Sequence, residues 1–418
     1  MSQTEYTFKP LVFEKQKSVS NDIPDLPHTR IDHGIACNDE YLYYYRYCSY
    51  EAPGLEGDLL PNKGCLWKFN LVTCQWKNLR SRHLSRVLSY SSIILSGNLI
   101  IIYGGTGVRF SNYCPYNIYI GNLLGEYTEE GIVFEEINCT NGIPRIGYGQ
   151  SIVLNGRYIY TVNGLSGFQR EADVYRFDIS TKKWEILSDG KGILQDFEEK
   201  YKYELAYYNQ CIFTFGGSNV HINSTTNFLN TFMTVHVFDL TTKTWRYLDT
   251  KPDQQSTTPG YPENRINHGW VQCPTHTQNV YLLGGYDKFN FMKDVWCFNL
   301  STFQWRNLSM CSIPKPTFFL SAAMSRYGHL YYYNGLVSLR CLSTRRLEPQ
   351  NHVYTTWVRV PQLKEMCWDA ILFYFRKNLL KLNEEDLRKL GLPLEYYKLI
   401  IKAKEFIISA KAQHLSSD

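Results

Sequence analysis

Cationic side chains recur at comparable points along this chain, each shortly before an apolar segment that alternates like a β-strand. The set consists of Arg30, Arg86, Arg145, Lys202 and Arg265. The planar guanidinium of arginine pairs with a carboxylate through two parallel hydrogen bonds, whereas lysine acts as a point charge. A single exposed cation is most often a solvated or loosely ion-paired loop residue. Recurrence instead predicts one shared site for a carboxylate, with Arg86, Arg145 and Arg265 as its leading ligands.

Three tyrosines near these cations, Tyr148, Tyr201 and Tyr286, are expected to wall the site, because tyrosine offers apolar area with a polar tip. Catalytic chemistry has less support. The ten histidines are scattered, and no carboxylate pair has a spacing that suggests acid–base catalysis. Two carboxylates that are distant in the sequence but adjacent in the fold stay an open alternative. We expect a binding protein without catalytic residues, metal or cofactor.

A second pattern lies near the C-terminus. Leu363, Cys367 and Ile371 recur at i, i+4 and i+8, which places them in one stripe on a helix. A thiol between two branched aliphatic side chains suits a narrow apolar pocket on a partner, because cysteine is small and apolar. The alternative is an amphipathic helix that packs onto its own domain, since short motifs often match by chance.

The composition describes a folded protein: 44% of the 418 residues are hydrophobic, 20% are charged and 15% are aromatic. A net charge of +5 without Lys/Arg runs does not indicate a nucleic-acid surface. The first 20 residues lack the apolar core of a signal peptide, and no apolar run is long enough to span a membrane. We therefore expect the twelve cysteines to be reduced, and the protein to be cytoplasmic, nuclear or both.

One sequence unit repeats along most of the chain. An apolar strand ends in two glycines or Asn-Gly, as at Gly104, Asn163, Gly216, Gly284 and Asn334, at intervals of roughly 50 to 70 residues. A later strand then ends in Asn or Asp, and a threonine-rich turn and a tryptophan follow it. These closing phrases are Phe69–Trp76, Phe177–Trp184, Phe238–Trp245 and Phe298–Trp305. The period and the signature resemble kelch repeats.

The repeats predict an all-β, six-bladed kelch β-propeller over residues 29–360, followed by a small all-α region over residues 361–418. The last blade has no room for a fourth strand. Residues 1–28 are the candidate source, because Tyr6–Phe13 alternates and Pro10 is tolerated on an edge strand. In the tail, Asn383 is expected to cap a second helix, Gly391 to end it, and Pro393 to start a third.

The stripe L-x-x-x-C-x-x-x-aliphatic resembles the BC-box that binds elongin C. Leu392, Pro393, Tyr396 and Ile400 follow a pattern similar to the cullin 2 box. With the repeats, the chain resembles the kelch substrate receptors of cullin 2 ubiquitin ligases. Further phrases that carry this resemblance are Trp296–Trp305, Gly104–Gly107, Tyr148–Gln150 and Trp357–Leu363.

The resemblance implies a non-catalytic adaptor that binds elongin C and elongin B, and cullin 2 with its RING protein. It also implies recognition of substrate C-terminal tails ending in glycine, in a central funnel that the cations would face. This chain has Lys200-Tyr201-Lys202-Tyr203 where the family has Arg-Tyr-Arg-His, so its tail preference is expected to differ. A kelch scaffold for cytoskeletal or signalling partners remains the alternative, but it leaves the C-terminal patterns unexplained.

Overall fold

A computed structural model describes residues 5–18, 27, 33–48, 63–84, 91–105, 118–137, 144, 151–162, 165–166, 169–170, 173–189, 200–219, 232–256, 260–287, 289–333, 335–341 and 344–415. Within these ranges the protein is mostly β and ends in three helices. Six sheets of four or five strands dominate the described chain.

The first half of the chain builds three of these sheets. A short strand, β1 (Glu14–Lys15), precedes them. The first sheet contains β2 (His33–Cys37), β3 (Tyr41–Cys48), β4 (Lys63–Asn70) and β5 (Gln75–Leu79). The second contains β6 (Ser81–Arg82), β7 (Ser92–Ser96), β8 (Leu99–Tyr103), β9 (Ile118–Asn122) and β10 (Ile132–Ile137), with a 3-10 helix at Leu123–Tyr127. The third contains β11 (Ile152–Asn155), β12 (Tyr158–Val162), β15 (Val174–Asp178) and β16 (Lys183–Ser188), while β13 (Leu165–Ser166) and β14 (Gln169–Arg170) pair separately.

The second half continues the same order. The fourth sheet contains β17 (Lys200–Tyr208), β18 (Cys211–Asn219), β19 (Thr234–Asp239) and β20 (Thr244–Asp249). The fifth contains β21 (Gly269–Gln272), β22 (Asn279–Tyr286), β23 (Phe291–Asn299) and β24 (Gln304–Ser312). The sixth contains β26 (Ser321–Met324), β27 (His329–Tyr333) and β30 (Val353–Trp357). Three other strands form a small separate sheet: β25 (Thr317–Phe318), β28 (Leu336–Cys341) and β29 (Thr344–Pro349).

The N-terminal segment supplies the fourth strand of the sixth sheet. β1 pairs antiparallel with β30, Glu14 opposite Thr355, and the Leu11 and Gln16 amides donate to the Trp357 and Val353 carbonyls at 2.8 and 2.9 Å. The strand therefore lies beyond the alternating run Tyr6–Phe13 that the sequence suggested. Phe13 is buried and packs edge-on against Tyr332 at 5.2 Å, which anchors this register.

One strand of each of the six sheets borders a central space, namely β2, β7, β11, β17, β21 and β26. β2, β7, β11 and β17 contact one another in that order, and β21 contacts β26, which contacts β2. Between β17 and β21, Trp270 Nε1 donates to the Leu205 carbonyl at 3.1 Å. Apolar side chains of neighbouring sheets form shared cores. This arrangement is consistent with a kelch propeller.

Repeated residues explain the repeated sheets. Asn70 Oδ1 accepts hydrogen bonds from the Val72 and Thr73 amides at 2.9 and 2.8 Å, and Asp239 makes the equivalent turn. The tryptophan after such a turn packs on the neighbouring sheet: Trp76 lies 4.8 Å from the Tyr333 ring, and Trp184 lies 5.4 Å from that of Tyr103. Asx turns thus close the outer hairpins, and tryptophan joins adjacent sheets.

The C-terminal helices are α1 (Leu363–Leu379), α2 (Glu384–Lys389) and α3 (Leu394–Leu415). Asn383 caps α2, because its Oδ1 accepts from the Asp386 amide at 2.9 Å. Gly391, which follows α2, has a φ of +65°, a conformation that glycine adopts without strain. Both predictions are therefore confirmed. No helix among the described residues is long and apolar enough to cross a membrane.

The helices pack onto the hairpin turns of the first sheet. Phe406 stacks on Tyr41 at 6.3 Å, and Lys402 pairs with Glu40 at 2.6 Å. Val72, in the turn between β4 and β5, joins an apolar cluster with Leu372 and Ala403. Because the strands alternate in direction, the connector between the fourth and fifth sheets, described at 250–256 and 260–268, leaves from the opposite end. The helices and this connector therefore lie on opposite faces of the ring.

The cysteines are mostly free thiols in the described part of the chain: Cys37, Cys74, Cys211, Cys273, Cys297, Cys311 and Cys367. Burial raises the pKa of Cys297 to about 11 and that of Cys311 to about 12. The expectation that all cysteines are reduced is wrong at Cys65, which is disulfide-bonded. Disulfide formation depends on the distance between cysteines in the fold, which spacing in the sequence does not give.

Candidate binding cavity and partner-facing helix

A central cavity of about 950 Å³ is lined by one strand from each of the six sheets: β2, β7, β11, β17, β21 and β26. Its volume falls in the range of small-molecule and peptide sites. Its polar lining side chains include Ser92, Ser151, Ser321, Glu204 and His268. Glu204 is the one carboxylate among the described lining residues, and these include no lysine or arginine. No group of three metal-ligating side chains occurs in the described parts of the chain.

These polar side chains lie at the same depth in the cavity, because they occupy equivalent positions in their strands. Ser92 pairs with Tyr103, Glu204 with Phe215, and Ser321 with Tyr333, and each partner directly precedes the glycine pair or Asn-Gly. Ser151 Oγ donates to Glu204 Oε2 at 3.2 Å. Three hydroxyls and one carboxylate thus form a polar belt, which we call the serine–glutamate belt. The sequence analysis missed it, although the position before each glycine pair could have been used to align the strands.

Arg265 is the one predicted cation whose side chain the structure describes. It is fully buried, and it meets Asp294 bidentately, with Nη1–Oδ1 at 2.5 Å and Nη2–Oδ2 at 2.9 Å. Its Nε and Nη1 also donate to the Glu263 and Gly284 carbonyls. Burial opposes ionisation of Asp294, but the hydrogen bonds and charge of Arg265 lower its pKa overall. A substrate carboxylate would have to displace Asp294 to reach Arg265.

Several other predicted ligands cannot be placed. Arg30, Arg86, Arg145 and Tyr148 lie outside the described residues. Tyr201 and Lys202 lie in β17, but their side chains are not described. The carboxylate site formed by these residues therefore stays a prediction.

Tyr286 is the one predicted wall residue with a described side chain. It is half-buried at the end of β22 and is not among the lining residues of the cavity. Its ring stacks on Phe291 at 5.1 Å and contacts Phe318 at 5.6 Å. Tyr286 therefore packs with these two aromatic rings instead of walling the described cavity.

His268 stands one position before the serine–glutamate belt, at the connector end of the cavity. Its side chain is 8% exposed, and neither ring nitrogen has a hydrogen-bond partner among the described residues. Burial, and secondarily the charge of Arg265, lower the pKa of His268 to about 3. Its imidazole is therefore neutral at physiological pH.

On the opposite face, α1 presents two different sides. Leu372 and Leu379 are buried in the helical tail, and Trp368 stacks on Tyr396 at 4.6 Å. Leu363, by contrast, is 74% exposed, and Cys367 is exposed. Ile371 is half-buried and packs against the cluster of Leu379, Leu387 and Ile400. The first two positions of the predicted stripe are thus free to meet a partner.

The residues of the predicted cullin 2 box lie mainly inside the tail. Ile400 is fully buried and Tyr396 is 6% exposed, with its hydroxyl donating to Glu365 Oε1 at 3.3 Å. Leu392 is half-buried in the same cluster as Ile400, and Pro393 is exposed. The prediction of direct contact is therefore corrected for Tyr396 and Ile400, because their side chains already pack against α1 and α2.

A second cavity, of about 970 Å³, lies between the N-terminal segment, the turns of the first and sixth sheets, and α1 and α3. His329 stacks on Trp357 at 4.1 Å, and burial lowers the His329 pKa to about 4. Asp369 accepts from both Trp357 Nε1 and the Tyr6 hydroxyl, at 3.3 and 3.2 Å. These contacts tie the N-terminal segment, the sixth sheet and α1 together.

Comparison with known proteins agrees with the repeats. Residues 272–309 match the Kelch motif. The chain is 29% identical to the Xenopus laevis Kelch domain-containing protein 10 and 28% identical to the human protein of that name. Both matches cover 88% of this chain, and they cover 85% and 78% of the relatives. The Drosophila melanogaster Kelch domain-containing protein 10 homolog is 28% identical over 94% of the chain, which spans 65% of that relative.

Proposed function

We propose that this protein is the substrate receptor of an elongin BC–cullin 2 ubiquitin ligase, built as a six-bladed kelch propeller with a BC-box tail. The observation that carries the proposal is the exposed apolar pair Leu363 and Cys367 on a helix whose other face is buried. An exposed leucine and thiol one turn apart fit insertion into an apolar groove. A cytoskeletal or signalling scaffold would leave this pair without a role.

The position of the tail supports the same function. The helices pack on the hairpin-turn face, so a ligase core bound there leaves the connector end of the central cavity open to a substrate. For cullin 2, exposed Pro393 and half-buried Leu392 offer the direct contact. Tyr396 and Ile400 would act indirectly, because they hold α3 against α1 and so fix the position of Pro393.

For the substrate, we propose a C-terminal tail ending in glycine, whose carboxylate is held at the connector end by Arg86 and Arg145, with Arg30 and Lys202 assisting. Glu204, deeper in the wall, disfavours further entry of an anion. Glycine is favoured where the strand backbones leave no space for a Cβ. The Lys202 contribution would be weaker and less directional than that of an arginine.

Co-purification tests the ligase part. The Leu363→Ala, Cys367→Phe double variant should lose elongins B and C while keeping its unfolding midpoint, because both side chains are exposed. Ile408→Ala removes a 69% exposed residue of α3 and is the matched control. Undiminished elongin recovery with the double variant would refute the BC-box assignment.

Peptide titration tests the substrate part. A fluorescent ten-residue peptide ending in glycine should bind more tightly than its amidated or one-residue-extended forms. Losing a buried charge partner commonly costs about 2–5 kcal/mol. Equal affinity for the three peptides would leave the ligase adaptor standing and refute tail recognition.

A further inference from the structure

The exposed apolar side of α1 extends beyond the pair Leu363 and Cys367. Ala370 is half-buried and Tyr374 is 45% exposed. The four residues follow one another at intervals of four, three and four, which places them in one narrow stripe on a helix. The opposite side of α1 already packs in the helical tail. A second apolar stripe on the same helix therefore indicates a second packing partner.

Ile371 does not belong to this exposed stripe. Its direction differs from that of Leu363 by about 80° around the helix axis, and it packs against the cluster of Leu379, Leu387 and Ile400. Tyr374, by contrast, lies about three turns beyond Leu363, roughly 16 Å along the axis and on the same side. Tyr374 is therefore the large side chain that continues the partner-facing stripe.

The N-terminal segment holds Tyr374 in place. The Tyr6 amide donates to the Tyr374 hydroxyl at 2.6 Å, and the two ring centres are 6.5 Å apart. Tyr6 itself is fixed, because its hydroxyl donates to Asp369 Oδ2 at 3.2 Å and its ring lies 5.5 Å from that of Phe373. A tyrosine held before binding loses less rotamer freedom when a partner covers it.

We infer that the elongin-binding surface of this chain is the stripe Leu363, Cys367, Ala370 and Tyr374, and that the N-terminal segment completes it, with Tyr6 as the positioning residue for Tyr374. The inference rests on the proposed ligase function and adds a contact beyond the BC-box pattern. Elongin C is the occupant, because the stripe is continuous with the Leu363–Cys367 pair. The same segment closes the sixth sheet through β1, so one stretch of chain serves both ring closure and partner binding.

Titration of the full-length chain with the purified elongin B–elongin C dimer tests the extended surface. Tyr374→Ala should weaken binding roughly tenfold, as expected for truncating an aromatic anchor of an interface. Phe375→Ala is the matched control: it removes the neighbouring, 52% exposed aromatic ring, which points about 100° away from Tyr374 around the helix. The control should keep the wild-type affinity, and both variants should keep the wild-type unfolding midpoint.

A double-mutant cycle tests the role of Tyr6. Tyr6→Ala should weaken elongin binding roughly threefold in the wild-type background and cause no further loss when Tyr374→Ala is already present. A general loosening of the fold would instead weaken binding in both backgrounds, and this additive result overturns the positioning role.

Two other outcomes separate the inference from the proposed function. Wild-type affinity of Tyr374→Ala, together with lost binding by the Leu363→Ala, Cys367→Phe variant, overturns the extended surface and leaves the ligase assignment intact. Failure of the wild-type chain to bind the elongins overturns both.

Discussion

At the scale of single residues, Arg265 shows that a cation predicted to bind a substrate can instead stabilise the fold. Its guanidinium is fully buried and is matched by Asp294 and two main-chain carbonyls. Arg265 lies in the connector before β21. Through these contacts it ties that connector to the strands β22 and β23. As the sequence suggested, the planar guanidinium pairs with a carboxylate, but that carboxylate belongs to Asp294 of the same chain.

Removing the acid should therefore be costly. Asp294→Ala leaves a buried, unpaired guanidinium, and we expect a loss of about 3–5 kcal/mol in the free energy of unfolding, measured by urea denaturation. Glu185→Ala is the control, because its ion pair with Arg176 is partly exposed, and it should cost less than about 1 kcal/mol. A loss of similar size in both variants would show that Asp294 does not hold Arg265.

Two histidines whose pKa values fall on folding should make the protein acid-sensitive. The pKa values of His268 and His329 fall from 6.5 to about 3 and about 4 on folding, mainly by burial. The unfolded chain therefore binds more protons below about pH 6.5, and stability falls as the pH drops through that window. At about pH 5 each histidine should cost about 2 kcal/mol relative to neutral pH.

Urea midpoints at neutral pH and at about pH 5 measure this effect. The His268→Gln, His329→Gln double variant should have the flatter pH dependence, since glutamine does not titrate. The variant His276→Gln, at an exposed histidine, is the matched control for the replacement of a histidine by glutamine. An unchanged slope in the double variant would assign the acid sensitivity to other groups.

At the scale of elements, the N-terminal segment has two separable roles. β1 completes the sixth sheet, and Tyr6 packs on α1, with its ring 5.5 Å from that of Phe373. Deleting residues 1–16 should expose the edge of β30 and lower both the unfolding midpoint and the solubility.

Hydrogen exchange distinguishes these roles. The deletion should speed exchange in both 353–357 and 363–379. Tyr6→Ala, which keeps β1, should affect only α1. Protection of 353–357 that survives the deletion would show that β1 is dispensable for closing the sixth sheet.

At the scale of the whole molecule, a buried ion cluster holds the tail to the ring. Lys68 is 3% exposed, pairs with Glu126 at 2.5 Å, and lies 5.4 Å from the centre of the Phe406 ring. Lys77 pairs with the same carboxylate at 3.0 Å and donates to Ser409 Oγ at 2.9 Å. The first sheet, the second sheet and α3 therefore meet at one point, which sets the angle between tail and cavity.

Weakening the docking of α3 at this cluster should reduce ubiquitin transfer without reducing elongin binding. Phe406→Ala should cost about 3–5 kcal/mol of tail docking, because a buried phenylalanine is lost, while Leu363 and Cys367 stay exposed. We expect normal elongin recovery but reduced ubiquitination of a tail-bearing substrate. Ile408→Ala, on the exposed side of α3, is again the control, and equal ubiquitination by both variants would contradict a geometric role for the docking.

The sequence by itself determined the local elements. Glycine pairs, Asn/Asp turns and the tryptophan phrases predicted the repeated sheets, and Asn383 and Gly391 predicted the limits of α2. These features act within a few residues of the chain, so spacing and residue type report them directly. The exposed half of the α1 stripe was also visible as periodicity.

The tertiary structure decided which side chains of each pattern are buried inside the protein and which stay exposed. Tyr396 and Ile400 share a helical spacing with partner-binding motifs, yet they face the tail interior, because α1 and α2 cover them. Arg265 meets Asp294, 29 residues away, and His268 packs between Phe232 and Trp270. Periodicity gives the direction of a side chain relative to its own element. What that side chain then meets depends on how distant elements pack, and no local spacing contains that information.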